Sequence, residues 1–256
     1  MTINTKTLAA IDIGTNAIRL FISNVEEYPT ETLFKKIAFL RVPIRLGEDV
    51  FTTGEIGQQK GKRLCETMQG FSYIMSAFNV ESYKAYATCA MREARNGKSV
   101  AEQIQKECDL NIEIISGTKE AETIFAGGMN EVVDDDKTYL YVDVGGGSTE
   151  VIVYSKSVKV EACSFPLGTV RMLNDAVDKE EMKHFKKWLK NITEKYTPDA
   201  IIGSGGNINK IHKLLNKKER ERITYQELDI LYEYMKSFNL EERERIMNCL
   251  LYTSPS

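Results

Sequence analysis

The sequence has few of the residues that build metal clusters, disulfide frameworks or membrane spans. Only two histidines occur, His184 and His212, and neither has a cysteine or a second histidine beside it, which argues against a zinc site or a serine–histidine–aspartate triad. The five cysteines have no paired spacing, so we expect free thiols and a cytoplasmic location. No apolar run approaches the roughly 20 residues of a membrane span. We therefore expect no membrane segment. The N-terminus, MTINTKTLAAIDIG, has no basic segment followed by an apolar run, so we also expect no signal peptide.

The chain also lacks a basic excess. Its formal net charge is −3, whereas nucleic-acid-binding proteins usually carry a surplus of lysine and arginine. We therefore expect no nucleic-acid partner. Any affinity for a phosphorylated ligand must come from a few well-placed groups.

What the chain does have is a glycine-rich stretch between two apolar runs, Tyr139–Tyr154, which reads YLYVDVGGGSTEVIVY. The pattern predicts two strands joined by a tight turn, with Asp143 and Glu150 at the two ends of the turn. Glycines allow several backbone N–H groups to approach a phosphate. Carboxylates beside a phosphate would repel it unless a hard cation lay between them, so the stretch indicates a Mg²⁺ site. The alternative interpretation is a glycine-rich hairpin with two solvated acids.

The same layout occurs near the start of the chain, in Leu8–Ser23 (LAAIDIGTNAIRLFIS). There Asp12 ends the first apolar run and Gly14 begins the turn. The two aspartates lie about half the chain length apart, which predicts two lobes built on one plan, 1–124 and 125–256. A chance match of two short hairpins is the alternative.

The rest of the chain alternates strand-like and helix-like segments, so the predicted fold class is α/β. A strand is predicted at Thr32–Val42, followed by a turn at Gly47. Helices are predicted over the following segments: Glu55–Phe78, Ser99–Cys108 with Ser99 as the N-cap, a helix from Thr118 with Ala121, Ile124, Phe125 and Gly128 on its inner face, Lys179–Tyr196, and Thr224–Leu251.

A third glycine turn, Gly203–Gly206, follows a short apolar strand and opens a helix. The N–H groups and dipole of a helix N-terminus favour an anion. None of the three turns contains a Walker lysine, and none fits the dinucleotide fingerprint. Together they predict a polyphosphate-binding site between two lobes. The candidate phosphate-binding residues are Gly14, Thr15, Asn16, Gly145, Gly146, Gly147, Ser148, Gly203, Ser204, Gly205 and Gly206.

Hydrolysis at such a site needs a base for the attacking water and a positively charged side chain that stabilises the phosphoryl group. Glu120 borders the inner face of the helix that begins near Thr118, whereas Glu122 points away, so Glu120 is the better candidate for a general base. Arg92 and Arg95 follow a strand, where α/β proteins place ligands, and either could stabilise a phosphoryl group. Arg19, inside the first hairpin, is predicted to have a structural role. On pattern alone each of these residues could also be an ordinary surface residue.

Five segments in this order resemble the exopolyphosphatase/guanosine pentaphosphate phosphatase family: DIGTNAIRL, ATCAMREARN, ISGTKEAETIFAGG, YVDVGGGSTE and GSGGNI. The resemblance covers nearly the whole chain, and DVGGGSTE and SG-x-x-EA are its specific parts. It implies two ribonuclease H-like lobes of the actin-like ATPase superfamily with the active site in a central cleft. It also implies Mg²⁺-dependent removal of the terminal phosphoryl group from inorganic polyphosphate or from pppGpp, which is a stringent-response nucleotide. The resemblance further implies a homodimer.

Carried over by motif, the resemblance assigns catalysis to Glu120 and Arg92 and metal binding to Asp143, Glu150 and Asp12. Lys119 replaces an acid that is usual in the family. Asn207 stands where threonine is common. Family members continue beyond the last helix, so we expect the final segment, LLYTSPS, to be a truncation and the substrate to be short polyphosphate or pppGpp. The alternatives are a kinase of the same superfamily and a non-catalytic phosphate or alarmone sensor.

Overall fold

This computed structural model describes residues 4–28, 31–126, 134, 136–156, 158–218 and 221–247. The chain forms two compact units. The first consists of residues 1–127 together with Gly146–Ser148 and Gly168–Asp178, and the second of the remaining residues. A division at a single point after residue 124 does not include the two later segments that pack with the first unit.

The first unit is built on a five-stranded sheet in the order β3-β2-β1-β4-β5. Its strands are β1 (Asn4–Ile13), β2 (Ile18–Glu27), β3 (Thr32–Val42), β4 (Ser82–Ala87) and β5 (Glu113–Ile114). The first three strands pair antiparallel, and β4 runs parallel to β1 and to β5. The two predicted strands of the first hairpin and the strand at Thr32–Val42 are confirmed.

Helices cover one face of this sheet because alternate strand residues are apolar. Ile11, Ile13, Ile18 and Leu20 are at most 2% exposed and belong to one apolar core with residues of the helices. The helices of this unit are α1 (Leu46–Thr53), α2 (Gln58–Ala77), α3 (Cys89–Glu93), α4 (Gly97–Cys108), α5 (Gly117–Ala126) and α6 (Thr169–Leu173).

The second unit repeats the strand plan with a four-stranded sheet in the order β8-β7-β6-β9. Its strands are β6 (Thr138–Val144), β7 (Thr149–Ser155), β8 (Val158–Phe165) and β9 (Ala200–Ser204). The hairpin β6–β7 is antiparallel and β9 runs parallel to β6, as β4 does to β1. The predicted α/β class with two lobes on one strand plan is therefore confirmed.

The helices of the second unit are α7 (Lys179–Tyr196), α8 (Gly206–Leu214), α9 (Tyr225–Lys236) and α10 (Leu240–Met247). Helix α7 has the predicted bounds, and its Phe185 and Trp188 rings pack edge-on against Phe165 at centroid distances of 5.0 and 5.4 Å. The predicted helical region from Thr224 contains two helices, and the predicted tail from Leu250 lies outside the described residues.

Two local predictions are wrong. Gly47 does not mark a turn but lies in the first turn of α1, where a side chain would collide with the Thr15 methyl group and with Phe51. Ser99 is not the N-cap of α4, which begins at Gly97 after Asn96. The Asn96 side chain instead bonds the backbone of Ile56, accepting from its N–H at 2.9 Å and donating to its carbonyl at 2.8 Å.

No helix in the described part of the chain combines the length and the apolar character needed to cross a lipid bilayer.

Candidate active site

The first glycine turn, Gly14–Asn16, is closed by its own backbone and held by the start of α1. Gly14 N–H donates to the Ala17 carbonyl at 3.2 Å. The carbonyls of Thr15 and Asn16 accept from Gly47 N–H at 3.0 Å and Arg45 N–H at 2.9 Å. Because backbone bonds hold these carbonyls on one side, the turn is fixed without using its side chains.

The second glycine turn, Gly146–Ser148, belongs to the first unit although it joins two strands of the second. Its Gly146 carbonyl accepts from the N–H groups of Val170 at 2.8 Å and Arg171 at 3.1 Å. A Cβ at Gly147 would lie 2.9 Å from Thr15 Oγ1 and 2.7 Å from a Phe51 ring atom. Only glycine allows this approach, and the structure thereby brings together the two predicted turns at Thr15 and Gly147.

Arg171, which is not among the predicted site residues, supports the second turn through the Gly147 carbonyl. Its Nε donates to the Gly147 carbonyl at 2.9 Å, and its Nη2 lies 2.7 Å from each carboxylate oxygen of Glu93. The guanidinium also stacks over the Phe51 ring, 4.2 Å from its centroid. Burial alone would lower the pKa of Arg171, but the hydrogen bond and charge of Glu93 raise it overall. Arg171 therefore stays charged and ties α6, α3 and the turn together.

Cys89 contacts Glu93, the same carboxylate that binds Arg171. Its thiol donates to Glu93 at 3.3 Å, and the residue is 2% exposed. Burial, and then the Glu93 charge, raise the pKa of the Cys89 thiol to about 12 against the lowering effect of Arg171. The thiol is therefore a neutral packing group and not a nucleophile.

Glu120 and Arg92 are brought together within the first unit. Glu120 lies in the first turn of α5, where its N–H donates to the Ser116 carbonyl at 2.9 Å. Arg92 Nη1 lies 3.4 Å from Glu120 Oε2 and donates to the Ile115 carbonyl at 2.7 Å. Their side chains are 17% and 26% exposed, so the pair is partly buried.

The other candidate arginine lies away from this pair, and the predicted inner face of α5 is described only in part. Arg95 is 67% exposed and donates to the Thr53 carbonyl at 2.9 Å, so it lies on the surface and not beside Glu120. On α5, Ala121 is 1% exposed, as predicted for the inner face. The Ile124 and Phe125 side chains and Gly128 lie outside the described residues.

Asp12 is engaged by Arg19. Arg19 Nη1 donates to Asp12 Oδ2 at 2.7 Å across the β1–β2 hairpin. Burial raises the pKa of Asp12, while the charge and hydrogen bond of Arg19 lower it, and the net direction is upward. One oxygen of this predicted metal ligand is therefore committed to an ion pair.

In the second unit, Asp143 and Glu150 are direct partners across the β6–β7 hairpin. Directly paired residues of an antiparallel hairpin point to the same face of the sheet. Glu150 is 2% exposed, and the Ser164 hydroxyl donates to its Oε1 at 2.9 Å. The fold therefore presents two carboxylates side by side at the end of the hairpin, as the sequence predicts.

The third glycine turn joins β9 to α8, as predicted. Gly205 has φ +93°, a left-handed conformation that favours glycine, and a Cβ there would lie 2.7 Å from Asp143 Oδ1. The Asn207 amide donates to the Val144 carbonyl at 3.2 Å. The turn and the Asp143 carboxylate are thus neighbours, and helix α8 begins at the next residue of the chain, Gly206.

The paired carboxylates fit a Mg²⁺ ion by their chemistry. Magnesium takes oxygen ligands and commonly keeps several waters, using one or two carboxylates and substrate phosphates. Asp143 and Glu150 supply two such carboxylates on one face. Among the described residues no three histidine, cysteine, aspartate or glutamate side chains form a metal-binding group.

Comparison with known proteins places the chain in a family. The model of the Ppx/GppA phosphatase family matches residues 22–249. Because the match covers most of the chain, the protein belongs to the Ppx/GppA phosphatase family, and the resemblance read from its motifs is confirmed.

Individual relatives are more distant. The chain is 32% identical over 168 residues to a bifunctional 3-dehydroquinate synthase/phosphatase of Fusobacterium nucleatum, an alignment of 64% of this chain and 25% of that protein. It is 25% identical to a putative exopolyphosphatase of Haemophilus influenzae, over 90% of this chain and 74% of that protein. The chain thus spans a quarter of the length of the first relative and three quarters of the second.

The solved structures show the same fold. An exopolyphosphatase from Cytophaga hutchinsonii superposes with a TM-score of 0.79 at 24% identity, covering 93% of this chain and 82% of that one. A Ppx/GppA family member from Aquifex aeolicus gives a TM-score of 0.74 at 24% identity, covering 96% and 83%. At this identity the likeness establishes the fold and not the substrate.

Proposed function

We propose that this protein is a Mg²⁺-dependent phosphohydrolase that removes the terminal phosphoryl group of inorganic polyphosphate or pppGpp. The observation that carries the proposal is the Glu120–Arg92 pair of the first unit, with the two groups 3.4 Å apart and partly buried. A carboxylate and a guanidinium in this arrangement are what a general base and a phosphoryl-binding group require. Relatives named exopolyphosphatases support the choice of substrate.

Each residue has a separate task in the proposed reaction. Glu120 accepts the proton of the attacking water, and Arg92 orients its carboxylate and faces the charge of the transferred phosphoryl group. The N–H groups of the three glycine turns bind phosphate oxygens, which suits a reaction catalysed mainly by positioning and charge stabilisation. Arg171 holds the second turn in the required conformation through Gly147.

Asp143 and Glu150 would hold the Mg²⁺, partly through water. When bound, the ion would neutralise charge on the phosphates. The Ser164 hydroxyl restrains Glu150, and the absence of a side chain at Gly205 leaves room for the Asp143 carboxylate. Four cysteines of the described chain, Cys65, Cys89, Cys108 and Cys163, are free thiols, which supports a cytoplasmic location.

The wild-type protein tests this function directly. We expect orthophosphate release from polyphosphate or pppGpp in the presence of Mg²⁺, and loss of that release when EDTA removes the ion. Assaying the two substrates side by side identifies the preferred one. When ATP is supplied, its conversion to ADP with transfer of the phosphoryl group to an added acceptor would indicate a kinase instead. Retained binding of both substrates without turnover under Mg²⁺ would indicate a sensor, and either result would contradict the proposal.

A further inference from the structure

Three charged residues form a row across the first sheet, at the end that carries the Gly14–Asn16 turn. Asp12 on β1 pairs directly with Arg19 on β2, and Arg19 pairs directly with Arg41 on β3. Directly paired residues share a face of the sheet. Since their neighbours Ile11 and Leu20 are buried in the core, the charged row lies on the face opposite that core.

The row contains an uncompensated positive charge. Like charges directly opposite each other on neighbouring strands are destabilising. Asp12 neutralises Arg19 through the 2.7 Å contact, but among the described residues no carboxylate forms an ion pair with Arg41. Burial, and then the charges of Arg19 and Arg45, lower the pKa of Arg41. The strand pairing therefore places two arginines side by side, and the one carboxylate of the row, Asp12, contacts Arg19.

Polar atoms in this place also lack partners. The Nε groups of Arg19 and Arg41 and the side-chain oxygen of Asn16 are buried without a hydrogen-bond partner within the described ranges of the chain. Buried donors without partners are rare in folded proteins. The Asn16 amide can turn over so that its NH₂ group takes the place of the oxygen. All three side chains can then donate to an anion.

The row is adjacent to the predicted phosphate turn. Arg19 follows Asn16 by three residues at the start of β2, and Arg41 is the last but one residue of β3. The Arg45 N–H bonds the Asn16 carbonyl at 2.9 Å, so the chain after β3 is held against the turn. A ligand whose terminal phosphate occupies the turn would extend along this edge.

We propose that Arg19 and Arg41, together with Asn16, form a subsite for a second phosphoryl group of the substrate. The subsite selects chains of phosphoryl groups over single phosphate groups. Its substrate class is a linear polyanion with at least two linked phosphates. This inference rests on the proposed function, because it extends the same site.

The experiment uses inorganic tripolyphosphate as the probe and Arg41→Gln as the variant. Loss of a charge-assisted hydrogen bond to a phosphate is expected to raise KM for tripolyphosphate about tenfold while kcat stays within about twofold. The melting temperature without ligand should stay the same or rise, because a repulsion is removed. The stabilisation by tripolyphosphate should shrink. Lys106→Gln, an exposed residue of α4, makes the same charge change and should behave as wild type.

Arg41→Lys keeps the charge and the aliphatic stem, and we expect it to raise KM severalfold because the guanidinium fork is lost. It provides the test if Arg41→Gln does not fold. Wild-type KM and wild-type ligand stabilisation in either folded variant would overturn the subsite. A drop in the ligand-free melting temperature of Arg41→Gln with unchanged KM would show a structural role and would also overturn it. Wild-type protein that neither binds nor hydrolyses tripolyphosphate would contradict the proposed function and the subsite together.

Discussion

Burial holds the thiol of Cys89 in its neutral form, and this has a consequence for stability at high pH. Its pKa is about 12 in the folded protein and about 9 in an exposed thiol. A thiol with a raised folded pKa contributes stability that is fully present below pH 9 and is lost as the pH rises towards 12.

We therefore expect the free energy of unfolding of the wild type to fall relative to Cys89→Ala above pH 9. The slope of the difference should be about 1.4 kcal/mol per pH unit. Urea unfolding of both proteins between pH 8 and pH 10.5 measures it. A difference that stays constant over this range would show that the thiol ionises equally in both states.

Single residues differ in how far the sequence could predict them. Glu120 and Arg92 can be predicted as site residues because each lies at a recognisable position, one in the first turn of a helix and the other after a strand. Arg171 was missed because its partner Glu93 lies 78 residues earlier, and no local pattern reports such a pairing. The LGTVRM segment, a turn and arginine directly after a strand, was the only signal.

At the scale of elements, two helices of the second unit begin with reciprocal caps. Thr224 Oγ1 accepts from the Glu227 N–H at 3.2 Å, while the Glu227 carboxylate accepts from the Thr224 N–H at 2.9 Å. Asn239 and Glu242 make the same exchange at 3.0 and 2.9 Å. The second cap starts a new helix at Leu240, which is why the helical region from Thr224 is divided.

Removing the first cap tests its contribution to stability. Thr224→Ala leaves the Glu227 N–H without its side-chain acceptor, and we expect a loss of about 1 kcal/mol in the free energy of unfolding. Thr224→Ser keeps the hydroxyl and should lose much less. Urea denaturation followed by circular dichroism measures both variants, and equal losses would rule out the hydroxyl as the cause.

Longer elements were predicted better than short ones, for a physical reason. Helices α2 and α7 span several turns, so the period of their apolar residues is visible in the sequence. Helix α3 has five residues, too few to show a period, and it was missed. Gly47 predicts a turn at the position where the structure has helix α1. The glycine is required there by the approach of Thr15, a tertiary contact that local patterns do not contain.

At the scale of the whole molecule, the two units share one strand plan, which the matching hairpins predicted. The assignment of Gly146–Ser148 and Gly168–Asp178 to the first unit could not be predicted, because it depends on contacts between distant segments. Those segments bring Gly147, Thr15 and Arg171 into one group. The predicted site of the first unit is therefore assembled from three separate parts of the chain.

In the proposed function Glu120 is the base of a phosphohydrolase, and a comparison of three proteins tests this role. Orthophosphate release from tripolyphosphate under Mg²⁺ is measured for wild type, Glu120→Gln and Glu122→Gln. Glu122 is an exposed residue of the same helix, two positions further on, and provides the matched control. We expect Glu120→Gln to slow release about 100- to 10,000-fold with little change in tripolyphosphate binding, and Glu122→Gln to keep the wild-type rate. Near-wild-type release by Glu120→Gln, or an equal loss in both variants, would contradict the assignment.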